Sequence, residues 1–122
     1  MSDDGLITAG QLLGKRERRY TTVEIAGLGL CRLQSITERE RLEWELGQYT
    51  PKGAYDPKRV PLQRTGLIAL CLVDAGGLKI LSRADADALA DHCDAAVIDA
   101  LFDACKRHAN MEDEPAKKKL PD

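Results

Sequence analysis

Side chains that can ligate a metal ion are concentrated in one short stretch of the sequence, "SRADADALADHC", residues 82–93. Carboxylate, imidazole and thiolate groups are the ligands that hold Ca²⁺ or Zn²⁺ in proteins. The residues in question are Asp85, Asp87, Asp91, His92 and Cys93. Either these side chains form a metal site, or they serve the structure of the chain around them.

A calcium loop does not fit this stretch. An EF-hand loop that starts at Asp85 needs an oxygen ligand at its fifth position, glycine at its sixth and glutamate at its twelfth. The sequence has Leu89, Ala90 and Ala96 at those three positions. The EF-hand interpretation is therefore excluded.

A zinc site fits no better. His92 and Cys93 are adjacent, so on one helix their side chains diverge by about 100° and do not face the same ion. Cys105 and His108 offer further ligands, but a spacing of three residues is also typical of a buried helical stripe. We therefore expect no metal ion and no other cofactor.

Helix capping accounts for most of the same residues. Ser82 is placed to be the N-cap of a helix, with Asp85 in the capping-box position and Asp87 close behind it. Negative charge in the first turn complements the helix dipole. We expect Leu89 to be the main buried residue of this helix and Asp94 to cap the next one.

Motifs of catalysis and nucleic-acid binding do not occur. The sequence contains no GxGxxG, GxxxxGK[ST], GxSxG or HExxH, and its two histidines have no evident nucleophilic partner. The 18 basic and 20 acidic residues nearly cancel, so the chain has no overall basic field for DNA or RNA. We predict a protein that is not an enzyme and does not bind nucleic acid.

The bulk composition predicts a soluble cytoplasmic domain. No apolar run approaches the roughly 20 residues needed to cross a bilayer, and the N-terminal "MSDDGLITAG" is acidic where a secretory signal would be basic. The four cysteines are far apart and have apolar neighbours, so we expect reduced, buried thiols. These are Cys31, Cys71, Cys93 and Cys105.

The first half of the chain predicts a β-hairpin and then a helix. The strands are "TTVEIA" (21–26) and "LCRLQSI" (30–36), with Gly27 and Gly29 where the chain reverses. Thr37 and Glu40 form a capping-box pattern, so a helix should begin near Glu38 and end near Gly47. Leu42, Leu46 and Tyr49 follow at helical spacing. The segment 47–57, with two glycines and two prolines, predicts a loop.

The second half predicts helices. The apolar run 67–73 fits a buried helix or a buried strand, and its leucine and alanine content favours helix. A turn at 74–77 and a short extended segment, "LKIL", should follow. The clearest element is an amphipathic helix of about four turns that ends near Asn110. Its apolar stripe is Val97, Leu101, Ala104, Cys105 and His108, widened by Ile98 and Phe102.

These elements predict the α+β class, with an N-terminal β-hairpin followed by a mainly α-helical domain. We expect a partly ordered N-terminal segment at 1–19, a single α+β domain at 20–110 and a disordered tail at 111–122.

The order of elements resembles the tail assembly chaperones of long-tailed bacteriophages and prophages. The similarity covers roughly residues 20–110, through "CRLQSITERERLEWE", "RTGLIALCLVDAGGLKIL", "DADAL" and the closing helix. Leu81 stands where the family pattern has an aromatic residue. The matching positions are Arg32, Thr37, Glu40, Arg41, Arg64, Leu67, Ile68, Cys71, Asp74, Gly77, Ile80, Leu81, Asp85 and Leu89.

The resemblance implies a protein that acts by binding other proteins in the host cytoplasm. Its expected partner is the tape measure protein, a long, largely helical chain that the chaperone keeps soluble while tail tube subunits polymerise around it. The tail tube protein is a further candidate partner, and membranes are not expected to take part. Such a chaperone is not retained in the virion.

Two other functions remain open. A structural minor tail or head-tail joining protein would assemble into a ring and stay in purified particles. A bacterial protein-binding adaptor of the same α+β build would be encoded beside genes that are not viral.

Four apolar residues are the candidates for partner contact: Ile98, Phe102, Leu101 and Trp44. Large apolar and aromatic side chains dominate binding energy where they reach the surface. For Ile98 and Phe102 the competing interpretation is burial in the core of the domain.

The lysine run Lys117 to Lys119 gives a prediction at the level of the gene. In the family that the chain resembles, ribosomal frameshifting near the end of the frame commonly yields a longer minor product. An adenine heptamer across these codons, with an open overlapping frame beyond them, would support the longer product, and nucleotide sequencing checks this. Interrupted lysine codons, or an immediate stop in both alternative frames, would leave the run as a solubilising basic tail.

Overall fold

The computed structural model describes residues 5–14 and 17–111 of the 122-residue chain. Most of the predicted tail at 111–122, with its lysine run, lies outside the described residues, as do parts of the predicted N-terminal segment. Among the described residues no helix is both long enough and apolar enough to span a membrane.

The predicted hairpin is confirmed. Strand β1 (Tyr20–Ile25) pairs antiparallel with β2 (Gly29–Gln34), and Tyr20 lies opposite Gln34. Gly27 and Gly29 have φ angles of 83° and 122°, which residues with a Cβ rarely adopt. The glycines therefore permit the chain reversal, as expected.

Four long helices follow the hairpin. They are α2 (Glu38–Leu46), α3 (Val60–Cys71), α4 (Arg83–His92) and α5 (Ala95–His108), with a 3₁₀ turn at Pro57–Arg59 before α3. The capping boxes predicted at Thr37 and Ser82 are both present, and the Asp94 side chain accepts from the Ala96 amide. Local capping thus sets where three of these helices begin.

The apolar run 67–73 is divided between two kinds of structure. Helix α3 ends at Cys71, and Leu72 and Val73 form a short strand, β3, that pairs with Leu33 and Arg32 of β2. The helix prediction is therefore right for most of the run and wrong for its last two residues. Pairing with β2 overrides helix propensity there, giving a three-stranded sheet in the order β1-β2-β3.

A short helix near the N-terminus was not predicted. Helix α1 (Ala9–Leu13) starts at a capping box in which the Thr8 side chain accepts from the Gln11 amide. The Thr8 and Gln11 spacing is visible in the sequence, and it is the signal that would have located this helix. The apolar side chains around it are 63% to 76% exposed: Leu6, Ile7, Leu12 and Leu13.

The core lies between the sheet, α3 and α5. Its buried residues form one cluster: Ile25, Cys31, Leu33, Leu67, Ile68, Cys71, Leu72, Ile98, Leu101, Ala104 and Cys105. All four cysteines are free thiols. Cys93, at the C-cap of α4, is only half-buried, so the prediction of burial holds for the other three.

The prediction that Leu89 is the main buried residue of α4 is wrong, and the helical spacing of Leu42 and Leu46 does not place them inward in α2. Leu42 and Leu46 of α2 are 48% and 65% exposed, and the helix packs through Trp44 instead. In α4 the buried residue is Ala86, because its small side chain lets the helix pack closely against the rest of the domain. Leu89 is only half-buried. The capping patterns predicted both helices but not which side chain of each faces inward.

Helix α5 ends as expected near Asn110. Asn110 has a φ of 59°, and the amides of Met111 and Asn110 donate to the carbonyls of Lys106 and Arg107, which is a Schellman motif. The start of β1 is tied to this end of α5. The Arg19 guanidinium donates to the His108 carbonyl at 2.8 Å, and Nε2 of His108 lies 2.9 Å from the Arg19 carbonyl.

Replacing Ser82 with alanine should lower the free energy of unfolding by about 1 kcal/mol, because the Asp85 amide loses its side-chain acceptor. Chemical denaturation followed by circular dichroism measures the change. Ser82→Thr keeps a hydroxyl acceptor and should retain most of the stability. Equal stability of Ser82→Ala and the wild type would show that the cap contributes nothing.

Candidate partner-binding surface

The four candidate contact residues do not form one surface. Ile98 and Leu101 of α5 are 7% and 3% exposed and belong to the core cluster. Phe102 is half-buried, with the cationic groups of Arg64 and Lys106 over its ring at 5.3 and 5.4 Å from the centroid. The side chains of Ile98 and Leu101 therefore serve the core, and Phe102 is flanked by cations.

Trp44 is placed differently, at the junction of α2 and α3. Its indole Nε1 donates to the Gln63 carbonyl at 2.6 Å, and the Gln63 side-chain amide donates to the Trp44 carbonyl. Gly66 lies beside the ring, where an added Cβ would be 3.7 Å from Cδ1 of Trp44. These reciprocal hydrogen bonds fix the ring on the edge of α3.

A groove of about 810 Å³ lies beside Trp44, along α3 and between α2 and α4. Its floor comes from α3 and its walls from α2 and α4, with Leu81 at one end. The apolar and small residues that the three helices contribute to the lining are Leu62, Gly66, Ala69, Leu70, Trp44 and Ala86. Sequence reasoning named Trp44 but missed the groove, because its lining comes from three separate helices.

Charged side chains form the rim of this groove. Lys58 and Arg59 lie where α3 begins, Lys79 and Arg83 lie at the other end, and Glu43 is on the α2 side. Arg59 is paired with Asp56, which lies outside the groove lining, at 3.6 Å. The rim therefore carries charge of both signs around an apolar floor.

Glu40 anchors one end of the groove. Its carboxylate accepts from both terminal nitrogens of Arg18 at 2.9 and 3.1 Å, and Lys79 lies 3.9 Å away. Desolvation by itself would raise the pKa of Glu40, but the hydrogen bonds from Arg18 and from the Thr37 amide, with the Arg18 charge, hold it below its ordinary value. The guanidinium thus ties the chain before β1 to α2.

A second polar cluster organises the turn after β3. Arg32 donates to the carbonyls of Asp74 and Ala75 and stacks over the Tyr20 ring at 4.1 Å from its centroid. The Asp74 carboxylate accepts from the amides of Gly76 and Leu78. Gly77 has a φ of 84°. These residues shape the turn that follows β3.

The stretch 82–93 supplies caps. Asp85 accepts from the Ser82 amide at 2.9 Å, which lowers the pKa of its carboxyl. In the described part of the chain, no three His, Cys, Asp or Glu side chains are grouped as metal ligands would be. The geometry of this stretch is that of a helix start.

The thiols of Cys31 and Cys105 are unsuited to nucleophilic chemistry. A hydrogen bond with Cys71 and burial raise the pKa of Cys105, and burial raises that of Cys31. Since the thiolate is the reactive form, these groups stay protonated in the core.

The Arg18–Glu40 contact makes stability depend on pH. Because the pKa of Glu40 is lower in the folded chain, the unfolded chain takes up a proton first as the pH falls, and stability falls with it. Between about pH 5 and pH 3 we expect the unfolding free energy of the wild type to fall more steeply than that of Glu40→Gln. Glu24→Gln, at an exposed position of β1, should keep the wild-type slope. Equal slopes for the wild type and Glu40→Gln would contradict this.

Comparison with known proteins gives a match of fold. No family model matches the chain, and no curated protein matches its sequence. Among solved structures, the fold is similar to that of the bacteriophage HK97 tail assembly chaperone, with a TM-score of 0.53 and 15% identity. The match covers 77% of this chain and 85% of that one. The chain therefore has the α+β fold of a phage tail assembly chaperone.

Proposed function

We propose that this protein is a tail assembly chaperone of a long-tailed phage or prophage. The observation that carries the proposal is the fold match over 77% of the chain. The resemblance of the sequence motifs supports it as well. Three residues of those motifs, Arg32, Asp74 and Gly77, lie together at the turn after β3. The client is the tape measure protein, and the tail tube protein is a further partner.

The chaperone acts by covering apolar surface, without a chemical step. A long helical chain that exposes apolar stripes aggregates unless those stripes are covered. The described residues offer apolar surface of their own, in the groove beside Trp44 and in the exposed side chains around α1. Binding must be reversible, because tail tube subunits replace the chaperone as they polymerise around the client.

The proposed site of action is the host cytoplasm, and the protein leaves before the virion is complete. This separates it from a structural minor tail or head-tail joining protein, which would remain in particles. It also separates it from a bacterial adaptor, whose gene would have no tape measure gene downstream.

Co-expression tests the proposal. The tape measure protein from the same genome should be insoluble when expressed alone, and it should be recovered in the soluble fraction and co-purify when this protein is present. Mass spectrometry of purified virions should find the tape measure protein without this chain. A soluble tape measure protein in the absence of the chaperone, or this chain in virions in stoichiometric amount, would contradict the proposal.

A further inference from the structure

We propose that the open edge of strand β1 pairs with β1 of a second copy of this chain, antiparallel and around a twofold axis at Thr22. The two copies then share one continuous sheet, in which the strands of each follow the order β1-β2-β3 outward from the axis. A twofold contact uses the same surface of both copies, so assembly through it ends at two chains. The inference comes from the sheet alone and does not depend on the proposed function.

The two edges of the sheet differ. At the β3 edge the chain folds back on itself, because the Asp74 amide donates to the Leu78 carbonyl at 2.8 Å and Val73 forms an antiparallel bridge with Lys79. At the β1 edge the only strand neighbour among the described residues is β2, on the inner side. The edge that can accept a further strand is therefore that of β1.

The register of the hairpin shows which groups of β1 point outward. The Ser35 amide donates to the Arg19 carbonyl at 2.8 Å, so these two residues form a hydrogen-bonded pair. Such pairs alternate along an antiparallel ladder, so the backbone groups of Tyr20, Thr22 and Glu24 point away from β2. Within residues 5–14 and 17–111 those amides and carbonyls have no hydrogen-bond partner, and all three residues are exposed. A strand is the partner that matches such a row of groups.

Strand β1 has few of the features that keep edge strands apart. Natural edges are commonly protected by lysine, by proline or by a β-bulge. The strand Tyr20–Ile25 reads YTTVEI, without lysine or proline, and its register with β2 runs without a bulge. Most of its residues are β-branched, which favours extended backbone. The edge is therefore ready for pairing.

The outward groups are self-complementary. When two β1 strands pair antiparallel around Thr22, this residue lies opposite Thr22 of the second copy, and Tyr20 lies opposite Glu24. These are hydrogen-bonded pairs in which each residue both donates and accepts, so every outward amide and carbonyl of the strand gains a partner. A register moved by two residues in either direction leaves Tyr20 or Glu24 opposite a residue outside the strand. The strand is thus its own best complement, which identifies a second copy as the occupant.

The charges agree with the same register. The Arg32 guanidinium lies over the Tyr20 ring, 4.1 Å from its centroid, and it donates to carbonyl oxygens rather than to a carboxylate. Glu24 has no ion pair in the described part of the chain. Pairing around Thr22 brings Glu24 of each copy beside the Tyr20 and Arg32 stack of the other. Opposite charges at neighbouring sheet positions, and a Thr–Thr pair at the axis, both stabilise strand pairing.

The contact is small, so we expect a weak dimer. Stable interfaces usually bury about 1,200–2,000 Å² in total, and one pair of short strands buries less than this. Sedimentation equilibrium of the full chain, from micromolar to millimolar concentration, should show the molar mass rising from one chain towards two and no further.

Amide hydrogen exchange followed by NMR locates the contact. The amides of Thr22 and Glu24 should exchange more slowly as the protein concentration rises, because they gain acceptors in the dimer. The amides of Thr21 and Val23 already bond to β2, so they should be protected at every concentration.

Two variants at the axis test the pairing. Thr22→Pro removes an outward amide that the hairpin does not use, which an edge strand tolerates, and it should weaken self-association at least about tenfold. Thr22→Lys places two like charges opposite each other and should weaken it about fivefold or more. Leu42→Lys adds the same charge at a 48% exposed position of α2 and is the matched control, which should keep the wild-type association.

Each other outcome overturns the proposal. A single chain at all concentrations would show that the edge stays open, and a molar mass that grows beyond two chains would exclude a closed twofold contact. A dimer in which the exchange of the Thr22 amide does not slow would use another surface. Should Thr22→Pro lose the hairpin signals, Thr22→Lys decides the matter, since a folded Thr22→Lys that associates like the wild type contradicts the pairing.

Discussion

Helix α3 is the element on which the rest of the structure depends, because one of its faces is buried in the core and the opposite face lines the groove. Leu67, Ile68 and Cys71 are fully buried against the sheet and α5. Leu62 and Gly66, on the other side, face the groove between α2 and α4. A helix buried all round would leave no surface for a partner, and a narrower apolar stripe would not hold α5. The apolar composition of this helix satisfies both requirements.

The features predicted from the sequence are those set by local chemistry. Capping by Thr37, Ser82 and Asp94 involves residues within three positions of each other, so the starts of α2, α4 and α5 could be found without knowing the fold. The hairpin was equally local, through the positive φ of Gly27 and Gly29. The strand at Leu72 could not be found this way, because it exists only by pairing with Leu33.

The candidate surface could be predicted only in part from the sequence, because it also depends on contacts between residues that are distant in the chain. Periodicity predicts that a residue lies on an apolar face, but it does not say whether a neighbouring element covers that face. Ile98 and Leu101 are covered by the body, whereas Leu42 and Leu46, at equally regular spacing, are exposed. Trp44 and Ala86 line the same groove, although 42 positions separate them in the sequence.

The reciprocal contact between Arg19 and His108 has a topological consequence. It places the entry of the chain into β1 beside its exit from α5, so the 89 intervening residue steps form a loop that is closed in space by two hydrogen bonds. Domains with adjoining ends tolerate circular permutation. A short linker between these two points, with new ends opened in the connection between α2 and α3, would preserve the three-stranded sheet and the packing of α3 against α5. A pulling force applied at residues 19 and 108 would act first on this clasp, before any of the buried core.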